Sequence, residues 1–178
     1  MSGGGVPRLP LVVAGVDPGE LQSGLVIFYG YAEGEAPYTA GVLPNSVARD
    51  RIANLSHEAD PVLVIERPQF FGRETRFTDA MCEALLWSGR FIEAADSRGV
   101  RFETPFRKTI VTHHTGNARS NDADVRHALV ERYGGREAAI GRKGKPGPLR
   151  EVKSHAWQAL AAALCWIDQE MHREGREP

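Results

Sequence analysis

Cysteine is nearly absent from this chain: Cys82 and Cys165 are the only two among 178 residues, each inside an apolar, helix-like segment. That fits buried, reduced thiols in a cytoplasm, the location expected here, better than a disulfide framework. Long apolar runs are missing too. None reaches the roughly 18 residues of a membrane span, so no membrane-embedded segment is expected. The opening Met-Ser-Gly-Gly-Gly-Val-Pro has neither the basic start nor the apolar core of a secretion signal, and residues 1–10 read as a flexible tail. Charge of one sign is not in excess either. With a formal net charge of -1 no global field draws the chain to a polyanion, and a nucleic-acid partner would have to be held by a local patch. What remains is ordinary: 42% hydrophobic and 25% charged residues place the chain outside the disordered and fibrous classes. One domain is expected over 11–170, followed by a frayed end at 171–178.

The most informative stretch is VVAGVDPGELQSGLVIF, from Val12 to Phe28. An apolar run delivers one carboxylate, Asp17, into a Pro-Gly turn, and a second apolar run follows at once. Near-continuous Val/Ile/Leu marks a buried strand, so an aspartate that closes one sits where the sheet ends and solvent begins. Downstream, Val62 to Ile65 forms a second such run and ends in Glu66. Two apolar strands that each end in one acid suit two carboxylates converging on a metal ion; singly, each acid suits a strand cap at the surface.

Strands come early and helices late. Residues 11–17, 23–30 and 38–43 read as strands, and the Pro-Gly connection is too short for a helical crossover, which predicts an antiparallel meander. Ser46 is placed to cap a helix carrying Val47, Ile52 and Leu55, which leads to the strand ending at Glu66. Thr78 caps a long helix with Met81, Leu85, Ile92 and Ala95 at helical spacing, closed by Arg98-Gly99. Val100 to Thr104 reads as a short strand. A helix over 121–133 carries Val125, Leu129 and Val130, and Ser154 is expected to cap a last helix through Leu160, Leu164 and Ile167. The order, three antiparallel strands and then αβαβ, resembles the ribonuclease H-like layout: an α/β fold whose mixed five-stranded sheet has three antiparallel strands, then two parallel ones, flanked by helices. In that layout Asp17 and Glu66 face each other at neighbouring strand ends.

The motifs GVDPGELQSGLVIF, VLVIERPQFFG, ALLWSGRFIEAADSRGVRFETPFRKTIV, GNARSNDADVRHALV and HAWQALAAAL resemble the RuvC-type Holliday junction resolvases, over roughly residues 12–168. The stretch GRKGKPGPL, from Gly141 to Leu149, resembles a glycine- and lysine-rich insertion in a branch from phages and bacteria. The resemblance implies a dimeric, Mg²⁺-dependent endonuclease of branched DNA with no organic cofactor. Asp17 then matches the first acid, Glu66 the second, and His155 the first position of the last motif. The next position, an Asp in the family, is Gln158, and a neutral amide is a poorer Mg²⁺ ligand than a carboxylate. A basic position before the DVRHAL-like helix falls on Asp122, with the charge reversed; Arg107 or Lys108 retains the other basic residue. Two readings stay open: Asp122 or Asp124 replaces the missing carboxylate, or the site holds metal weakly and the protein mainly binds DNA. Asn121 to Asp124 equally suits a helix cap. His155 is read as a site residue, as ligand or as base; alone, it would also suit a first-turn histidine bonded to Ser154 or the backbone. Mn²⁺, more tolerant of nitrogen ligands, is expected to support activity better than Mg²⁺.

DNA has to be held by local charge. Arg136, Arg142, Lys143, Lys145, Arg150 and Lys153 crowd the segment before His155, and with Gly141, Gly144 and Gly147 between them the stretch reads as a flexible loop along a phosphate backbone, or as a solvated loop. Phe70, Phe71 and Arg73 follow Glu66; the aromatics suit stacking on an unpaired base or packing under the long helix. His113-His114 reads as a loop pair with no third ligand at zinc spacing. Trp87 and Phe91 suit a two-fold homodimer interface or a core. Three functions follow: a resolvase cutting four-way junctions, a related nuclease for flaps or RNA–DNA hybrids, and a DNA-binding accessory with a weakened site.

Overall fold

Alternation of side chains along a strand decides which face of the sheet each residue meets. In the first strand, β1 (Leu9–Asp17), Val12, Ala14 and Val16 fall on one face, and Val13, Gly15 and Asp17 on the other. β2 (Gln22–Tyr31) runs back antiparallel, with Val13 opposite Phe28 and Asp17 opposite Gly24, and β3 (Thr39–Pro44) extends the meander at the edge. Helix α1 (Asn45–Ala53) then crosses to β4 (Val62–Ile65), which lies parallel to β1. Helix α2 (Asp79–Asp96), capped by the Thr78 side chain, leads to β5 (Arg101–Glu103), parallel to β4. The sheet order β3-β2-β1-β4-β5 is the mixed five-stranded arrangement predicted from the sequence. The computed structural model describes residues 9–55, 60–67 and 78–175, and among these no helix is long and apolar enough to cross a membrane.

Both faces of the sheet are covered, which is why its central strands are apolar without interruption. α1 and α2 close one side over Val12, Val16, Leu25, Leu63 and Ile65. The other side is closed by α3 (Arg107–Thr115), α4 (Asp122–Arg132) and the long α6 (Ala156–Arg173), over Val13, Val26, Phe28, Val62 and Val64. Between α4 and α6 lie a short helix, α5 (Gly135–Ala139), and a two-stranded hairpin, β6 (Gly141–Arg142) with β7 (Lys145–Pro146).

Several local readings are corrected. β1 begins at Leu9 and α6 runs to Arg173, two and three residues beyond the expected bounds. Ser46 is not the cap of α1: the helix starts at Asn45, so Ser46 lies inside its first turn and the N-cap position falls on Pro44, which has no side-chain acceptor. Ser154 makes no side-chain cap for α6 either; it adopts φ 46°, a left-handed conformation strained for a serine, and His155 takes the N-cap position. The segment GRKGKPGPL is a hairpin packed on the domain rather than a loose loop, with the Leu149 amide bonded to the Ala139 carbonyl at 2.8 Å and Leu149 fully buried. Its glycines serve close approach and tight turns: a Cβ at Gly147 would strike the Ala138 and Ala139 carbonyls, and Gly144 turns at φ 88°. His113 and His114 lie in the last turn of α3, not in a loop. Phe91 is core, fully buried, and Trp87 is half-buried against it at 5.8 Å between ring centres.

Far from the strand ends, Arg132 ties α4, α6 and the end of β2 together. Its guanidinium donates to Asp168 at 2.7 and 2.8 Å, to Glu33 at 2.8 Å and to the Tyr31 hydroxyl at 2.9 Å. Burial alone would raise both carboxyls. The hydrogen bonds from Arg132, with those from Tyr31 to Glu33 and His113 to Asp168, outweigh it and hold both below the usual carboxylate range. Beside them burial pushes the His114 imidazole down to about 4, so it stays neutral and bonds the Ala161 carbonyl at 2.8 Å.

Helix α6 lies on bare backbone. A Cβ at Gly15 would strike the Ala159 carbonyl and the Ala163 side chain, and one at Gly24 would strike the His155 carbonyl. Gly15→Ala and Gly24→Ala are therefore expected to cost at least about 2 kcal/mol in urea unfolding, while Gly41→Ala, where a Cβ meets nothing within 4 Å, leaves stability nearly unchanged. The Arg132 cluster also sets an acid limit. A His whose folded pKa lies below its unfolded value loses stability as pH falls from about 6.5 to about 4, and depressed carboxyls lose theirs as pH falls below about 4. Thermal midpoints should fall in that order on acidification, and His114→Gln should flatten the upper part of the curve.

Candidate metal centre

Register and alternation bring the two acids together. β1 and β4 pair as Val13 with Val62, Gly15 with Val64 and Val16 with Ile65, so one further step sets Asp17 beside Glu66 on the face covered by α6. The Glu66 amide continues the pairing by donating to the Val16 carbonyl at 3.1 Å. Beyond it, the Arg67 amide bonds the Pro105 carbonyl at 2.8 Å and the Arg107 amide the Arg67 carbonyl at 3.3 Å, which fixes the start of α3 next to Glu66.

The turn after Asp17 is braced from within. The Asn45 side chain donates to the Gly19 and Glu20 carbonyls at 3.0 and 3.1 Å, and its backbone amide donates to the Leu21 carbonyl at 3.1 Å. The buried Ser23 hydroxyl donates to Asn45 Oδ1 at 2.7 Å and accepts from the Gly19 amide at 3.2 Å. A Ser and an Asn buried side by side therefore have their polar atoms satisfied while they hold the carboxylate-bearing turn.

Around this frame five side chains meet. Asp17 Oδ2 lies 2.8 Å from His155 Nδ1. Arg107 donates through Nη1 to Glu66 Oε1 at 3.0 Å and through Nη2 to Asp122 Oδ1. The Asp17 and Glu66 side chains are only 16% and 9% exposed, against 60% for Asp122. Burial pushes Asp17 above the usual carboxylate range, although the His155 contact and Arg107 act against it. Burial likewise raises Glu66, opposed by Arg107 and reinforced by the charge of Asp17. Gln158 joins His155, Asp122 and Arg126 along a cleft of about 340 Å³ between the first turns of α4 and α6.

Of the residues singled out from the sequence, Asp17, Glu66, His155, Arg107 and Asp122 are thus brought together, with Gln158 alongside. Asp124 is not: its carboxylate accepts from the Asn121 amide at 2.9 Å in a capping box. Lys108 follows Arg107 in the first turn of α3. Arg142 and Lys145 are in the hairpin strands with Lys143 in the turn between; Arg142 is 3.9 Å from Glu137, and Lys153 is 3.4 Å from Glu151. Phe70, Phe71 and Arg73 lie outside the described residues. The sequence reading missed the Asn45–Ser23 brace, whose signal was an Asn directly after a strand end, and the double engagement of Arg107, which has no local signal.

Among the described residues no group of three or more His, Cys, Asp or Glu is arranged as a ready-made metal cage. His155 and Arg107 instead fill the places beside the two acids. The two inner acids nonetheless fit a hard divalent cation. Asp17 and Glu66 are oxygen donors whose ionisation burial disfavours, and with Asp122 outside them three carboxylates stand against one guanidinium.

Neither a protein-family model nor a curated protein sequence matches the chain. Among solved structures, it is similar to one of Thermus thermophilus RuvC, with a TM-score of 0.64 and 20% identity over 92% of this chain and 96% of that one. It is also similar to T. thermophilus RuvC in complex with a Holliday junction substrate, with a TM-score of 0.66 and 18% identity over 91% and 96%. The chain has the ribonuclease H-like fold of RuvC.

Because the folded protein holds a proton on Asp17 to higher pH than the unfolded chain does, ionised Asp17 costs stability, and the cost grows as pH rises from the usual carboxylate value through the raised one. In chelator-containing buffer Asp17→Asn should melt at or above the parent temperature, with the difference widening from pH 4 to pH 7. A mutant that melts lower at every pH would contradict this.

Proposed function

We propose that this protein is a metal-dependent endonuclease that hydrolyses phosphodiester bonds in branched DNA, with the four-way junction as its substrate and a homodimer as its working form. The observation that carries the proposal is the pair of buried carboxylates at adjacent strand ends, Asp17 and Glu66, with His155 bonded to the first. The likeness of fold to RuvC supports it, and one of those structures holds a Holliday junction substrate.

In this reading Asp17 and Glu66 hold the cation, with Gln158 able to lend a neutral oxygen. A divalent cation bound there, Mg²⁺ or Mn²⁺, supplies charge neutralisation at the scissile phosphate and acidifies the attacking water. The chain's own residues do the rest. Asp17 accepts from His155 Nδ1 at 2.8 Å, which fixes the tautomer and leaves Nε2 as the basic nitrogen. An imidazole so held is placed to take a proton from the attacking water, the role of general base. The brace from Asn45 and Ser23 keeps the Asp17 turn from moving as charge develops. The cations of the β6–β7 hairpin, Arg142, Lys143 and Lys145, together with Lys108 and Lys153, give the backbone contacts that a chain of net charge -1 must concentrate locally. Phe70, Phe71 and Arg73 are proposed to meet unpaired bases at the crossover.

A second reading, a DNA-binding protein with a weakened centre, is favoured by two specific observations: Gln158 stands where a third carboxylate would help, and no three-ligand group is present among the described residues.

Incubation with a labelled four-way junction separates the two readings. The nuclease gives paired nicks near the crossover in Mg²⁺ or Mn²⁺, reduced at least about 100-fold in Asp17→Asn and Glu66→Gln. Gln158→Asp should lower the Mg²⁺ concentration needed for half-maximal cleavage. Junction binding without nicks in either metal would leave the binding protein.

A further inference from the structure

The arginine between Glu66 and Asp122 is held in an unusual way. A guanidinium beside a buried carboxylate ordinarily closes on it with two parallel hydrogen bonds, the fork matching both oxygens. Here the fork is split. Nη1 donates to Glu66 Oε1 at 3.0 Å, and Nη2 donates to Asp122 Oδ1 on a different helix. Glu66 Oε2 receives no hydrogen bond from Arg107. The backbone beside Glu66 anchors Arg107 whatever its side chain does, since the Arg107 amide bonds the Arg67 carbonyl, and Arg67 and Phe106 form a strand bridge. Among the described residues, Asp122 is the one carboxylate besides Glu66 that accepts a hydrogen bond from the fork. It is free to do so because Asn121 and Asp124, not Asp122, carry the cap of α4.

We propose that Asp122 is a positioning residue for the metal centre: by taking one arm of Arg107 it prevents the guanidinium from sealing Glu66 and keeps Oε2 available to a divalent cation. This rests on the reading that Asp17 and Glu66 hold that cation. Asp122 itself is not a ligand. Its carboxylate is spent on Arg107, at 60% exposure and one helix removed from the strand ends. Arg107 in turn holds Oε1 and orients the Glu66 carboxyl, as outer-shell partners of metal ligands do.

The test is a double-mutant cycle read by calorimetric titration with Mn²⁺ alone, without DNA. Asp122→Ala removes the acceptor of the second arm and lets the fork close on Glu66, so Mn²⁺ affinity should fall at least about tenfold. Asp122→Glu, which keeps a partner for the second arm, should retain affinity within about threefold. In an Arg107→Ala background there is no fork to divert, and Asp122→Ala should then change affinity less than about twofold. Equal losses from Asp122→Ala in both backgrounds would make Asp122 a direct ligand and overturn the proposal, as would no loss in the single mutant or no Mn²⁺ binding by the parent protein. Should Arg107→Ala not fold, the contrast between Asp122→Ala and Asp122→Glu still decides: equal affinities overturn the proposal. Because DNA is absent, a protein that passes this cycle yet cuts no junction would overturn the nuclease reading and leave this one standing.

Discussion

The site exists because α6 is allowed to lie directly on the backbone of β1 and β2. Gly15 and Gly24 remove the two side chains that would hold it off, and Ala156, Ala159 and Ala163 present the smallest possible helix surface to them. Gly24 is the register partner of Asp17, and the His155 carbonyl sits over it. The absence of a side chain at one strand position thus sets the height of the histidine above the aspartate on the next strand. Close packing makes the arrangement stiff, since an interior of this density transmits a displacement of one methyl group rather than absorbing it. The strained Ser154 backbone immediately before His155 fits the same picture: the chain enters α6 in a left-handed residue instead of through an ordinary cap.

Electrostatics divides the molecule into two unlike ends. At the strand ends, burial raises both inner carboxyls, and neither His155 nor Arg107 fully offsets it. At the opposite end of α4 and α6, Arg132 meets Glu33 and Asp168 in a fully hydrogen-bonded cluster that lowers both. The same two helices join the ends. A cluster in which all three guanidinium nitrogens donate fixes how α4 and α6 lie against each other, and that relation sets where Asp122, at the first turn of α4, stands relative to His155. The uncompensated end can be kept uncompensated because the compensated end holds the frame.

Much of this was legible in the sequence, and for definite reasons. Period-two alternation in Val13, Gly15, Asp17 and in Val62, Val64, Glu66 already puts each acid on a defined face, and two buried runs of this kind imply parallel neighbours once a helix separates them. The antiparallel meander followed from the shortness of the Pro-Gly connection, and the five-strand order from the resemblance of the element order to the ribonuclease H-like layout. What was not legible depended on side chains that act at a distance. Ser46 and Ser154 looked like caps because serine before an apolar periodic run is a local signal, yet α1 starts one residue earlier, at Asn45, whose side chain braces a turn more than twenty residues away. The hairpin at Gly141 to Gly147 looked mobile because glycine serves flexibility and close approach alike, and composition does not tell them apart. His113 and His114 seemed to sit in a loop because the helix before Gly116 has little apolar periodicity, only Ile110 and Val111 being buried.

Asp122 shows how a sequence departure changes meaning once neighbours are known. Alone, an acid where a base is expected reads either as a lost cation or as a spare ligand. Beside Arg107 it is neither. The guanidinium sits between a carboxylate that is 9% exposed and one that is 60% exposed, so its attraction to the inner one is the stronger for want of water. An outer carboxylate competes with that attraction only through geometry, by matching an arm the inner carboxylate would otherwise take. A base at position 122 would repel Arg107 toward Glu66 and leave the pair closed. With arginine at 107, an acid at 122 is the residue that keeps an inner carboxylate oxygen open, so the two positions have to be read together.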